Sequence, residues 1–418
     1  MSFSRTHSNL VADRISVTNP SPPVVLHLDH TDERGGAELA LARTLLVQQQ
    51  WEAILCTSAP RSDTGGAFEE AVRNAGVRTI AQRMQHPPRL PGQQGRLGRS
   101  ILDLGRTLLE AVSLSSHPAM HRVDVVHANT ARAAVYGALL STARRRPLVV
   151  SLRDIVSPDA IGAAGTMLMR RLVLPRAAAV VANSHTTLRS AQAFLRPGAL
   201  AYVIHSPLGV DRVPEPTVTD PVRRIGMVAR VDDWKGQDLV IRAFAASGLA
   251  TDGVQLLFAG APAFGKTALV PQLTALARDL GVEDHVEFLG HVADPARFID
   301  EADICIQAST RPEPLGQNVL QYLLRGRPTV VSAEGGPAEW VHEDSNGLLF
   351  APRDPSDLAA KLRALAGDRA MRERLARAAV RTPDLLTDGD VAMAYAQVFR
   401  DVAAIRSAGA QRTGFHDD

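Results

Sequence analysis

Two cations and one carboxylate stand where they could manage a diphosphate and a sugar. Arg230, in Gly226-Met227-Val228-Ala229-Arg230-Val231-Asp232-Asp233-Trp234-Lys235-Gly236, falls at the end of an apolar run, and Lys235 falls where the next helical pattern opens. A guanidinium and an ammonium at that separation suit a diphosphate, whose charge rises as its bond to a sugar breaks. The plainer reading is a surface cation pair. Against it, lysine occurs only three times, at Lys235, Lys266 and Lys361, so 43 of the 46 basic residues are arginine and a lysine is the more informative cation. Glu313 lies between Pro312 and Pro314, in a rigid loop that follows another apolar run and precedes a helical start. A carboxylate held there can accept hydrogen bonds from sugar hydroxyls, and backbone N–H groups from Leu315 and Gly316 onward can meet phosphate or sugar oxygens. A capping acid is the structural alternative, which the spacing only partly supports.

Three further patterns compete for attention. Asp32-Glu33-Arg34-Gly35-Gly36-Ala37-Glu38 follows the first strand and opens a helix. Paired glycines there let a backbone approach a ligand, and the helix start offers N–H groups to an anion, although such a turn is also common for steric reasons alone. Gly260-Ala261-Pro262-Ala263-Phe264-Gly265-Lys266-Thr267 fits the phosphate-binding pattern of a P-loop NTPase, with Lys266 for phosphates and Thr267 for Mg²⁺. No apolar strand ending in the required second acid follows it, since Asp303 begins its strand. Asp388-Gly389-Asp390 has the look of a metal-binding acid pair, but it does not follow a strand and reads as a solvated turn.

Something must carry these residues to one place. From Val24 onward, short Val/Ile/Leu runs alternate with amphipathic stretches, which predicts parallel sheets buried on both faces and joined by helices. The segment 208–222, with Pro207 just before it and Pro214, Pro216 and Pro221 within it, breaks the rhythm as a linker would. The pattern then restarts. The expectation is therefore an α/β chain of two Rossmann-like parallel-sheet domains facing a cleft: residues 23–207, then 223–390, with a helix over 391–408 crossing back to the first domain. The ends, 1–22 and 409–418, read as a flexible arm and tail. A chain of 418 residues has room for two cores, since one core rarely grows past about 250–300 residues. The carboxyl ends of both sets of strands should face the cleft, where ligands bind.

Composition narrows the function further. The net charge of +2 offers no field for phosphate neutralisation along a nucleic acid, and 4% aromatic residues do not supply rows of stacking platforms, so no nucleic-acid partner is expected. Cys56 and Cys305, far apart in apolar runs, make neither a disulfide framework nor a zinc site, which suggests a reducing, cytoplasmic setting. No apolar run reaches the length of a membrane span. The Pro-, Gln- and Arg-rich stretch from Gln82 to Gln94 leads into a basic segment in which Arg89, Arg96, Arg99 and Arg106 interleave with Leu97, Ile101 and Leu104. It could touch an anionic acceptor or the inner face of a membrane peripherally, or simply be a solvated face.

Taken together, Gly35-Gly36-Ala37-Glu38, Arg230 with Lys235-Gly236, the loop from Arg311 to Gln321, and Glu334-Gly335-Gly336-Pro337-Ala338-Glu339 resemble, in their order, a retaining glycosyltransferase of the two-Rossmann-domain (GT-B) type, family 4, glycosyl transferases group 1. The resemblance implies transfer of a sugar from a nucleoside-diphosphate sugar, UDP more than GDP, to an acceptor hydroxyl on a sugar, lipid-linked or small molecule. It implies Gly35 and Gly36 against the donor diphosphate, Arg230 and Lys235 neutralising it, Glu313 on sugar hydroxyls, and Leu315 and Gly316 amides close by. Neither a metal nor a further cofactor is expected. Two positions depart from the family. Its second loop acid, which takes the ribose, is Gln321, and a histidine of the first domain is replaced in Ser151-Leu152-Arg153-Asp154 by Arg153, an always-charged side chain that cannot be a general base. Arg153 and Asp154 are then expected near sugar or leaving phosphate. His127 and Asn129, at another strand end, are expected toward the acceptor. A P-loop NTPase, or a non-catalytic relative that only binds a nucleotide sugar, are the competing functions.

Overall fold

The computed structural model describes residues 21–30, 35–57, 67–80, 111, 113–263 and 265–413. The expected N-terminal arm up to residue 20, the stretch from Gln82 to Gln94, the basic segment through Arg106, and the last five residues lie outside them.

Thirteen strands among the described residues form two all-parallel sheets. The first holds β1 (Val24–Leu28), β2 (Glu52–Cys56), β3 (Arg78–Ile80), β4 (Val125–Ala128), β5 (Leu148–Leu152), β6 (Ala179–Ala182) and β7 (Leu200–Val203), in the order β3-β2-β1-β4-β5-β6-β7. The second holds β8 (Arg224–Val228), β9 (Gln255–Ala259), β10 (Val286–Gly290), β11 (Ile304–Gln307), β12 (Thr329–Ser332) and β13 (Leu348–Phe350), in the order β10-β9-β8-β11-β12-β13. Central strands such as β4, β5, β11 and β12 are buried at every residue, as continuous apolar runs require when helices cover both faces, while the edge strands β7 and β10 are only half covered.

Strand order reverses once in each sheet, between β1 and β4 and between β8 and β11. There the loops leaving neighbouring strands diverge and leave a crevice beyond the strand ends. Both crevices open on the same interdomain gap, because groups from one meet groups of the other, as described below.

One face of the first sheet is covered from the far end of the chain. Val391, Tyr395, Val398, Phe399 and Val402 of the helix Asp388–Thr413 pack with Val25, Leu55, Val125, Val149 and Val181. This helix starts earlier than the sequence suggests. Asp388-Gly389-Asp390 is its first turn, not a solvated turn. Thr387 and Asp390 exchange hydrogen bonds as a reciprocal cap, and the Asp388 carboxylate accepts the Leu208 and Gly209 N–H groups at 2.8 and 3.2 Å. Among the described residues no helix is long and apolar enough to cross a membrane.

Candidate active site

The second-domain wall is built from the loops that follow β8 and β11. Gly236 joins them: its φ is +79°, and a Cβ there would stand 2.0 Å from the Ala308 carbonyl oxygen, so only glycine brings the loops together. Thr310 N–H also donates to the Trp234 carbonyl at 2.8 Å. The consequence is chemical. Lys235 Nζ lies 2.5 Å from Glu313 Oε1, with both side chains almost nine-tenths buried, while Glu313 Oε2 accepts from Gln307 at 3.0 Å and Ser309 at 2.7 Å. Burial works to raise the Glu313 carboxyl, but the Lys235 ammonium and the bonds from Lys235, Ser309 and Gln307 outweigh it and hold the group below the usual carboxylate range. A carboxylate has about four acceptor positions and an ammonium three donors, so each partner keeps capacity for a ligand after this pairing.

Trp234, to which the sequence alone assigns no role, is the platform of this wall. Lys235 Nζ lies 4.1 Å and the Arg311 guanidinium 4.3 Å from its ring centroid. Arg311 also donates to the Asp159 carbonyl of the first domain at 3.3 Å. Arg230 is exposed on the same loop, and its charge is among those that work to lower the Asp154 carboxyl of the first domain.

The first-domain wall lies beyond β1, β4 and β5. Asp29 accepts from Asn129 Nδ2 at 2.6 Å and from the His30 N–H at 2.7 Å, and His30 Nδ1 lies 2.9 Å from the Thr130 hydroxyl. Asn129 Oδ1 in turn accepts two bonds from Arg153, at 2.9 and 2.7 Å, and Arg153 also donates to Ser206 at 2.9 Å. Glu38, 4% exposed, lies against this network. Burial first, and then the Asp29 charge, push its carboxyl up to about 7. Asp154 is solvent-accessible, but it sits low enough between the walls for desolvation to raise its pKa against the pull of Arg153, Arg230, Arg311 and His30.

Several expected site residues take other roles. His127 does not face the acceptor: it is 1% exposed, inside the layer between β4 and the C-terminal helix. Trp51 Nε1–H can only donate, so it fixes the direction of a buried chain. It donates to His27 Nε2 at 2.9 Å, neutral His27 donates from Nδ1 to His127 Nδ1 at 2.8 Å, and His127 donates from Nε2 to Ser151 at 2.9 Å. Burial lowers His27 to about 3 and takes His127 well below its usual value, so both stay neutral. Asn129 is fully buried and orients Asp29 and Arg153 rather than offering itself to an acceptor. Gln321 does not reach out to a ribose; its amide donates to the Leu208 carbonyl at 2.8 Å and pins the interdomain segment. Leu315 is buried in the core under the loop, and Gly316 precedes the helix Gln317–Leu324 with φ of +72°. At the start of the helix Gly36–Val47, a Cβ on Gly36 would meet nothing within 4 Å, which leaves that backbone open, whereas one on Gly35 would stand 2.3 Å from the Glu38 carboxylate and make that side chain shift.

The P-loop pattern is spent on structure. Lys266 pairs with Asp232 at 2.7 Å and with Asp233, and the following helix opens only at Leu269, so the lysine braces the Arg230–Lys235 loop instead of heading a phosphate cradle. Gly260 is there because a Cβ would stand 2.0 Å from the Ala229 carbonyl oxygen. Glu38, Trp234, Arg311 and Glu339 of this site were not singled out from sequence. Glu38 and Glu339 stood in quoted glycine motifs, and Trp234 is one of three tryptophans.

Two facing parallel-sheet domains with their reversal points on one cleft define a GT-B architecture. Comparison with known proteins agrees. Residues 215–382 match the family described as "Glycosyl transferases group 1", and residues 35–207 match "Glycosyl transferase 4-like domain". The chain belongs to the group 1, family 4 glycosyltransferases. It is 28% identical, over 385 residues covering 84% of this chain and 89% of the relative, to the GDP-mannose-dependent alpha-(1-6)-phosphatidylinositol monomannoside mannosyltransferase of Mycobacterium tuberculosis. It is 34% identical over 145 residues to the D-inositol 3-phosphate glycosyltransferase of Geodermatophilus obscurus, covering 33% of this chain and 32% of that one. The first curated relatives are thus matched over about a third of their length. The crystal structure of Anabaena HepE in complex with UDP and glucose superposes with a TM-score of 0.74 at 25% identity, over 90% of this chain and 99% of that one.

Proposed function

We propose that this protein transfers a hexosyl group from a nucleoside-diphosphate sugar to an acceptor hydroxyl, with retention of configuration and without a metal or other cofactor. The carrying observation is the Lys235–Glu313 pair on its Trp234 platform at the β8/β11 reversal, with Arg311 on the same ring and bonded across to Asp159 of the first domain. Lys235 and Arg230 neutralise the charge that develops on the leaving diphosphate, the part a divalent ion plays elsewhere. Glu313, held ionised, uses its remaining lone pair to fix a sugar hydroxyl. Gly36 lets the first-domain backbone approach the diphosphate. In the manner the resemblance implies, the leaving diphosphate takes the acceptor proton on the face it departs from.

UDP is the preferred nucleotide. HepE, alike over nearly its whole length, is described with UDP, glucose and UDP-glucose, and the mycobacterial relative's name, which specifies GDP-mannose, keeps GDP as the runner-up. The acceptor is a sugar, lipid-linked or small-molecule hydroxyl. Among the described residues one group, Asp29, His30 and Glu38, gathers ligand atoms within 4.8 Å as a metal might require. The Arg153 charge beside it and the engagement of Asp29 with Asn129 favour an acid network over a cation site.

The test is a screen of labelled UDP- and GDP-sugars against a panel of acceptors, with and without a chelator, and with NMR assignment of the product anomer. Chelator-insensitive transfer with retained configuration is expected. An inverted product, loss of activity on chelation, or nucleotide binding without transfer or donor hydrolysis would each overturn the corresponding part.

A further inference from the structure

We propose that Glu339 is a positioning residue: it latches the first domain to the loop that carries Glu313. The proposal rests on the glycosyl-transfer reading above and adds to it the means by which domain closure sets the donor site.

Glu339 ends the short turn Pro337–Glu339, inside Glu334-Gly335-Gly336-Pro337-Ala338-Glu339. This segment lies directly behind the Glu313 loop. The Gly336 N–H donates to the Glu313 carbonyl at 2.8 Å. A Cβ on Gly336 would stand 2.1 Å from the Pro314 carbonyl oxygen, and one on Gly335 would stand 2.7 Å from both the Glu313 nitrogen and its carbonyl oxygen. Contact that close leaves no slack, so the two segments move as one body.

From the same segment the Glu339 carboxylate crosses to the first domain. One oxygen accepts the His185 N–H at 2.8 Å. The other accepts the Thr186 N–H and the Thr186 hydroxyl, both at 2.5 Å, and Arg189 adds an ion pair at 3.3 Å. These donors head the helix His185–Gln192, whose first N–H groups have no intrahelical acceptor and favour an anion. Normally such a helix is capped from its own chain, and Ser184 does that here by accepting the Thr187 N–H at 3.0 Å. The Ser184 hydroxyl also donates to the Pro314 carbonyl at 2.5 Å, and Thr187 to the same oxygen at 3.3 Å. The residue after Glu313 is therefore gripped by the first domain directly, and its backing segment is gripped through Glu339. Arg230, Lys235 and Glu313 belong to the second domain, so the charged groups that grip the nucleotide need no latch, and only the Gly36 backbone reaches the diphosphate from the first domain. Alignment of the sugar against a first-domain acceptor does.

The experiment measures kcat, acceptor KM and UDP affinity for wild type, Glu339→Ala, Glu339→Gln and Ser184→Ala, with small-angle scattering of each in UDP. For Glu339→Ala, kcat should fall about 10- to 100-fold, the scale of a small misplacement of reacting groups. UDP affinity should change far less than kcat, because its charged second-domain contacts are untouched. Scattering should show a more open, broader distribution. Glu339→Gln, which keeps its acceptor oxygen without charge, should recover part of the loss and serves if the alanine variant folds poorly. Glu339→Ala combined with Ser184→Ala should lose less than the sum of the single losses, since both act on one contact. Wild-type kcat in Glu339→Ala, UDP affinity falling as far as kcat, or unchanged scattering would overturn the latch. Absence of transfer by wild type with every nucleotide sugar would instead sink the glycosyl-transfer reading, and scattering would still decide the latch.

Discussion

The two walls of the cleft are built on opposite plans. On the second domain, few charged groups converge and each keeps unused capacity: Glu313 has three of its acceptor positions filled, and the Lys235 ammonium shares itself between one carboxylate and a ring face. On the first domain the polar groups are bound mainly to one another. Asp29, Asn129, Arg153 and Ser206 form a closed series, with Glu38 pressed against it. A wall with spare donors and acceptors suits a ligand of fixed chemistry, the diphosphate and its sugar. A wall of self-satisfied groups is a scaffold.

That contrast can be broken at its strongest point first. Lys235→Ala and Glu313→Ala should each lower transfer about 10²- to 10³-fold, the scale of deleting one group that stabilises developing charge, and since each strands a nearly buried partner charge a lower melting temperature accompanies this larger effect on turnover. Steady-state kinetics alongside a melting curve check it; wild-type turnover in either variant removes the second-domain wall from the chemistry. Asn129→Ala should do the converse. It strands the buried Asp29 carboxylate and the Arg153 guanidinium, so stability should drop on the order of 3 kcal/mol, read by urea unfolding.

Glu38 provides the next effect, through pH. Its carboxyl is raised from 4.5 to about 7 in the folded chain. Below about pH 4.5 both states hold the proton and there is no penalty. Between there and pH 7 the unfolded chain ionises first, so stability falls as pH rises, by no more than about 3 kcal/mol in all. Glu38→Gln should flatten that fall between pH 5 and pH 8 in denaturant titrations; a wild type equally stable at both values would contradict the shift. Smallest of all, Lys266→Ala should leave sugar transfer almost unchanged and should alter no ATP hydrolysis, because the lysine is itself partly exposed and only braces the loop through the half-buried Asp232 and the exposed Asp233.

How far the sequence could be read follows from the same physics. Strands β4, β5, β11 and β12 announce themselves because both faces are covered, so apart from His127 and Gln307 every residue is apolar or small. Arg230, Lys235 and Glu313 stand out because they interrupt such runs at their carboxyl ends. His127 also stands near a strand end, yet it is sealed under Tyr395 and Phe399, which arrive from a helix some 270 residues later. Alternation along a strand says that two neighbouring side chains take opposite faces, but not which face a distant helix will cover. Gln321 misled for a related reason: its helix was legible, but its partner, the Leu208 carbonyl, sits in the segment between domains.

The sequence by itself determined the layered parallel architecture, the division into two halves and the residue types that could handle a diphosphate, because periodicity and turn chemistry are local. Tertiary structure alone decided that Lys235 meets Glu313 over Trp234, that Asn129 and Arg153 are scaffold, and that Glu339 spans the domains. Those outcomes depend on which loops the two strand-order reversals bring within a few ångströms, and hydrogen-bond partners a hundred or more residues apart leave no periodic trace in the chain.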